Sequence, residues 1–194
     1  MVSHNSIIMK PSKTPQTPKN QNSKEEIYWA VLESVIRLDI IRGHMNWKIT
    51  ELARASKVSR PLIYYYFGKS KENIMKTAID FLGQEYFGLS EERMKLWQSG
   101  EILQSVLLTR LLCQKAPHIH LFYMFRRNLQ TPVGESLREF ESRHRTKIQD
   151  YYPKLSQDSV EALSAVFFGL VAMPALSQKG VENALKMITE NLSR

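Results

Sequence analysis

Cysteine and long apolar runs are nearly absent from this 194-residue sequence. The single Cys113 excludes an internal disulfide and fits a reducing compartment. No stretch approaches the roughly 18 uninterrupted apolar residues that a membrane span requires. Residues 1–23 also lack the apolar segment and small-residue cleavage site of a secretory signal. These absences predict a soluble cytoplasmic protein with no membrane partner.

Acidic residues are scarce in the first part of the chain. Residues 1–76 contain 13 Lys/Arg and 6 Asp/Glu, a net charge of +7, whereas residues 77–194 contain 14 and 13, a net charge of +1. The asymmetry indicates a polyanion-binding end and a neutral remainder, although a merely soluble basic surface is the alternative. Residues 1–22 are rich in Pro, Ser, Thr, Asn, Gln and Lys, and we expect them to form a disordered basic tail.

Helical spacing of apolar residues dominates the chain from Ser23 onward. Ser23 with Glu26 three places later is a capping-box pattern, and an apolar stripe at helical spacing follows it. No segment shows the alternation of a strand, and Gly and Pro mark the turns. The sequence therefore predicts an all-α fold of about nine helices.

The segment "ITELARASKVSRPLIYYYF", residues 49–67, has the pattern of a helix-turn-helix. Ala53 is small where two helices cross closely, Ser59 is a good N-cap, and Pro61 suits the first turn of the second helix. Ile63 and Phe67, four residues apart, would pack inward. The three consecutive tyrosines then remain for the outer surface, where their hydroxyls can reach phosphates. The alternative is that several of them seal the core of a small domain.

This segment and its continuation, "GKSKENI", resemble the DNA-binding domain of the TetR family of bacterial transcriptional regulators. The resemblance covers residues 25–75 and rests on Ile49, Leu52, Ala53, Val58, Ser59, Ile63, Tyr64, Tyr66, Phe67, Lys71, Glu72 and Ile74. Lys57 stands where the family has a turn glycine, a position that often needs positive φ, and one extra residue precedes Lys71. The resemblance implies a three-helix DNA-binding domain over 23–70 and a C-terminal ligand-binding and dimerisation domain over 71–194.

The resemblance also implies roles for individual residues on double-stranded DNA. The base-reading set would be Arg60, Pro61, Leu62 and Tyr65. The phosphate-binding set would be Ser59, Tyr64, Tyr66 and either Lys69 or Lys71. Lys48 and Thr50 would approach the DNA from the first motif helix.

In the C-terminal part the resemblance implies a variable ligand chamber and a homodimer formed by the last two helices. The expected dimer residues are Leu163, Phe167, Leu170, Val171, Val181, Leu185 and Ile188. A chamber for a small apolar effector would be lined by Trp97, Leu107, Phe122, Met124, Phe125 and Phe168, which at helical spacing are also ordinary core residues. The basic runs 126–128 and 143–145 could neutralise an anionic ligand or simply be solvated.

The expected function is a ligand-responsive, sequence-specific DNA-binding regulator, a repressor acting as a homodimer on a palindromic operator. The alternative is a nucleoid-associated or protein-interaction role on the same scaffold, with low sequence specificity. His118 and His120 are two apart and point to different sides of a helix, and no catalytic or metal-ligand spacing is found. We therefore expect no enzymatic activity, metal or cofactor.

Overall fold

The computed structural model describes residues 23–173 and 175–192, so the predicted basic tail lies outside the described residues. Within these ranges the chain contains helices and no strand, which confirms the prediction of an all-α fold of about nine helices. The helices are α1 (Lys24–Arg42), α2 (Ile49–Ser56), α3 (Arg60–Phe67), α4 (Lys71–Phe81), α5 (Glu91–Gln98), α6 (Ile102–Lys115), α7 (His118–Arg126), α8 (Pro132–Tyr151), α9 (Gln157–Ala172) and α10 (Gln178–Leu192). None of the helices in these ranges has the length and apolar character to cross a membrane.

Helix α1 begins as the sequence predicts. Ser23 Oγ accepts from the Glu26 N–H at 3.2 Å, and Glu26 Oε2 accepts from the Ser23 N–H at 2.8 Å. Both bonds satisfy N–H groups that have no partner within the helix. The inner face of α1, including Val31, Val35 and Ile36, is fully buried. It packs against α2, α4 and α7, so α1 contacts helices on both sides of the predicted domain boundary at residue 70.

A buried ionic contact fastens α1 to α7. The Asp39 side chain is completely buried, and its Oδ1 accepts from Arg126 Nε at 2.8 Å. Its Oδ2 accepts from the Met45 N–H at 2.9 Å and lies 3.2 Å from His44 Nδ1. The carboxylate thus joins the end of α1, the loop that follows it and α7.

Helix α5 is not predicted by the apolar pattern. Its buried residues are Arg93 and Trp97, so a cation occupies the inner stripe and interrupts the apolar period. The available signal is at its start, where Ser90 holds the N-cap position and Glu91 and Glu92 occupy the first turn.

Helix α4 continues directly into a π-helical turn, Leu82–Tyr86. At Gly83 in this turn a Cβ would lie 2.5 Å from the Phe140 ring, so only glycine lets α8 approach this closely. Helix α8 packs on α4 and on α9, and α9 packs on α6. Residues 71–86 therefore form one continuous helical segment that begins after α3 and ends at the buried Tyr86.

Candidate functional site

Helices α2 and α3 form a helix-turn-helix. Leu52, Val58, Ile63 and Phe67 are buried, and the turn between the two helices spans only residues 57–59. Lys57 adopts the left-handed conformation, with φ 57° and ψ 23°, which costs a non-glycine residue about 1–2 kcal/mol. The positive φ expected at the position of the family's turn glycine is therefore present here in a lysine.

Hydrogen bonds within the motif hold the turn in place. Ser56 Oγ donates to the Leu52 carbonyl at 2.8 Å and accepts from the Val58 N–H at 3.3 Å. Helix α2 begins without a Ser or Thr cap, but Glu51 Oε2 accepts from the Lys48 N–H at 2.9 Å. Ser59 occupies the N-cap position of α3, although its hydroxyl makes no capping hydrogen bond.

The three tyrosines of α3 have different surroundings. Tyr65 is 79% exposed and points away from the domain. Tyr66 is half-buried, with its ring 5.5 Å from the Tyr28 ring of α1 and 5.0 Å from the Tyr65 ring. Tyr64 is also half-buried, and Leu62 packs partly against the core. The outer face of α3 therefore consists chiefly of Arg60, Pro61 and Tyr65.

Exposed cations lie on this face and in the segments that flank α3 in the chain. They are Lys48, Arg54, Lys57, Arg60 and Lys69, and none of them forms an ion pair with the described residues. Ser59 and Thr50 are exposed beside them. The nearby Glu51 is neutralised by Arg42, whose Nη2 lies 3.0 Å from Glu51 Oε1. The surface of the motif is therefore strongly positive.

Lys71 has an intramolecular role that its sequence position does not predict. Its ammonium donates to the Met45 carbonyl and lies 5.1 Å from the centroid of the buried Trp47 ring. These contacts tie the start of α4 to the loop after α1. Of the two lysines considered for phosphate, Lys69 is exposed, whereas Lys71 is held in this contact.

No family model, curated protein or solved structure matches this chain. The resemblance to TetR regulators therefore rests on the motif residues of the sequence alone.

The residues expected to line an effector chamber are not brought together. Trp97 and Phe168 line one cavity of about 20 Å³, but Phe122 is fully buried in the core and Leu107 is half-buried elsewhere. Met124 and Phe125 are 48% and 62% exposed, because they lie on the outer side of α7. Helical spacing alone does not distinguish these locations.

The residues expected at a dimer interface are largely internal. Leu163, Phe167, Leu170, Val171, Val181 and Leu185 are buried within the single chain, and Ile188 is half-buried. The apolar residues that the sequence predicts at a dimer interface instead pack α9 and α10 against the core of the same chain. The exposed apolar face of α9 is a different one, formed by Ala162, Ala165, Val166, Gly169 and the following Met173.

Proposed function

We propose that this protein is a sequence-specific DNA-binding regulator that reads base edges with the exposed face of α3. The observation that carries the proposal is the geometry of this helix. Its inner residues, Ile63 and Phe67, are buried in the domain core, where the Phe67 ring lies 4.7 Å from the Tyr28 ring of α1, while Arg60, Pro61 and Tyr65 face solvent. A recognition helix enters the major groove with residues near its N-terminus directed at base edges.

The chemistry of this face suits duplex DNA. Arg60 can donate two hydrogen bonds to the O6 and N7 atoms of a guanine. The Tyr65 hydroxyl can donate to a phosphate, and its ring can contact a thymine methyl group. Lys48, Lys57 and Lys69 are available as phosphate partners because no described carboxylate occupies them. Phosphate contacts position the helix, and base contacts give specificity.

The proposal includes a homodimer that places two copies of α3 on two half-sites of a palindrome. The exposed apolar face of α9 supports it, since Ala162, Ala165 and Gly169 are small enough for close helix packing and Val166 and Met173 add apolar surface. Sedimentation at micromolar concentration measures this directly. A monomer at micromolar concentration would contradict the proposed homodimer. A dimer that is undiminished after Ala165→Glu would contradict α9 as its interface.

The deciding experiment is a binding titration at physiological salt. DNA from upstream of the protein's own gene is compared with scrambled DNA of equal length. A preference of about a hundredfold or more, within the range that separates specific from non-specific binding, would support a sequence-specific regulator. Equal affinity for both, together with a steep salt dependence, would favour the nucleoid-associated role.

A matched pair of variants tests the role of α3 itself. Arg60→Ala removes the proposed base contact, and Arg143→Ala removes an exposed cation from α8, far along the chain from the motif. Only Arg60→Ala is expected to reduce the preference for the specific site. Equal losses from both variants would show that α3 contributes no more than general positive charge.

A further inference from the structure

A cleft of about 420 Å³ lies where three parts of the chain meet. Its walls are formed by α4, by the start of α8 and by the loop that follows α1, so it spans the predicted domain boundary at residue 70. Clefts that bind small molecules have volumes of about 300–1,000 Å³ and occur preferentially at domain interfaces. We call this site the junction cleft. Its size and position are those of a small-molecule site.

The buried residues that line the junction cleft are all apolar. Met75 and Ile79 of α4 are each 3% exposed, and Val133 of α8 is 8% exposed. Met45, from the loop after α1, adds a second methionine to the lining. Methionine is unbranched and flexible, so the two side chains can adapt to the shape of a guest. The inner surface therefore favours an apolar guest, and it would penalise a buried charge of either sign.

Charged side chains line only the exposed rim of the cleft. Glu72, Lys76 and Asp80 follow one another at four-residue intervals along α4, and all three are exposed. Two carboxylates and one ammonium sum to a charge of −1, so an anionic guest would gain no net attraction from this rim. Because the inner surface is apolar and the rim has mixed charges, the guest that fits best is uncharged.

The wall contributed by the loop after α1 is held in place by hydrogen bonds. The Met45 N–H donates to Asp39 Oδ2 at 2.9 Å, and the Met45 carbonyl accepts from the Lys71 ammonium. His44 Nδ1 lies 3.2 Å from the same oxygen of Asp39. Since these contacts form without a guest, binding does not have to order this wall, and less of the interaction free energy is lost.

Two neutral polar side chains lie on opposite walls of the cleft. The Ser136 hydroxyl of α8 donates to the Pro132 carbonyl at 3.0 Å, so its oxygen is still able to accept a hydrogen bond. The Asn73 side chain of α4 supplies a carbonyl acceptor and an amide donor. A guest with one N–H or O–H group would find an acceptor on either wall.

We propose that the junction cleft binds an uncharged, largely apolar small molecule with a single N–H or O–H group, such as an arylamine or a phenol. Its apolar part contacts Met75, Ile79 and Val133, and its polar group donates to Ser136 or Asn73. None of the residues that line this cleft belongs to the chamber expected from the sequence. The inference goes beyond the proposed DNA binding and does not depend on it.

The test is a fluorescence titration of the full chain with two dyes that share one framework. N-phenylnaphthylamine is uncharged and has one N–H group, whereas anilinonaphthalenesulfonate carries an added sulfonate. Both dyes become brighter in apolar surroundings. We expect saturable one-to-one binding of the uncharged dye, at least about tenfold tighter than any binding of the sulfonate in the same cleft.

A matched pair of tryptophan variants assigns the bound dye to the cleft. Ser136→Trp fills the cleft from α8, whereas Glu139→Trp adds the same ring at an exposed position one turn further along that helix. Ser136→Trp should weaken binding of the uncharged dye tenfold or more, and Glu139→Trp should leave it unchanged. Asn73→Trp, at an exposed position on the opposite wall, should also weaken it and serves where Ser136→Trp does not fold.

Four results would overturn the proposal. They are an absence of saturable binding of the uncharged dye, equal binding in the Ser136→Trp and Glu139→Trp variants, sulfonate binding that is as tight and equally sensitive to Ser136→Trp, and dye binding that appears only after residues 1–22 are deleted. The last result would assign the cleft to that segment of the chain. Failure here leaves the DNA titration unaffected, since that experiment contains no dye.

Discussion

Removing Arg126 should destabilise the protein far more than removing an exposed arginine. Arg126→Met leaves the Asp39 carboxylate completely buried, with only the Met45 N–H and His44 as partners. Loss of one partner from a buried ion pair costs about 3–5 kcal/mol. Because the Arg126 side chain is 15% exposed and water can reach part of it, we expect the lower end, about 3 kcal/mol.

Urea denaturation followed by circular dichroism measures this cost. With a slope of about 2 kcal/mol per molar urea, a loss of about 3 kcal/mol lowers the midpoint by about 1.5 M. The control is Arg143→Met, an exposed substitution on α8 that should change stability by no more than about 0.5 kcal/mol. Adding Asp39→Asn to Arg126→Met removes the stranded charge, so the double variant should lose less stability than the sum of the single ones.

Two outcomes would refute this reasoning. A midpoint for Arg126→Met equal to that of Arg143→Met would mean that water already solvates Asp39. Strict additivity in the double variant would mean that the two side chains do not interact. Either result would also contradict the Asp39–Arg126 ion pair as a contact that stabilises the packing of α1 on α7.

Three further predictions concern DNA binding and packing. Tyr65→Phe, which removes the proposed phosphate-binding hydroxyl, should weaken binding to all sequences alike. Arg60→Ala should instead relax specificity at one base position by about 1–3 kcal/mol, measured by competition with operators altered one base pair at a time. Deleting residues 1–22, which contain three lysines, should reduce the slope of log K against log salt by up to about 2.7 without lowering Tm; a lower Tm would show that this segment contributes to the fold. Gly134→Ala should destabilise the protein by about 1–3 kcal/mol in urea denaturation, because its Cβ would overlap the Leu129 carbonyl oxygen. An unchanged midpoint would contradict that packing.

The helix-turn-helix could be predicted from sequence because its signals are local. The inward positions of Ile63 and Phe67 follow from helical spacing alone, and the positive φ at Lys57 follows from its place in the motif. The partition of the tyrosines could not be predicted. It depends on which of them meets α1, and the contact of Tyr66 with Tyr28 joins residues that are distant in sequence.

The small cavity lined by Arg93, His144 and Lys147 could not be predicted for a related reason. A charged residue on a helix is normally assigned to solvent, and the run 143–145 has the pattern of a solvated face. The structure divides that run, with Arg143 exposed, Arg145 half-buried and His144 inside. Arg93 is buried from a helix that the apolar pattern missed altogether. Arg93 of α5 and His144 and Lys147 of α8 come together only when the two helices are packed in the folded chain.

The position of α1 has a consequence for protein engineering. Chimeric regulators are made by joining the DNA-binding end of one protein to the sensing end of another, which requires a boundary that few contacts cross. Here a cut after residue 70 would separate α1 from both α4 and α7. The cut would also separate Asp39 from its ion-pair partner Arg126. In this protein the exchangeable unit is therefore the surface of α3, whose exposed side chains can be replaced without disturbing any contact of α1.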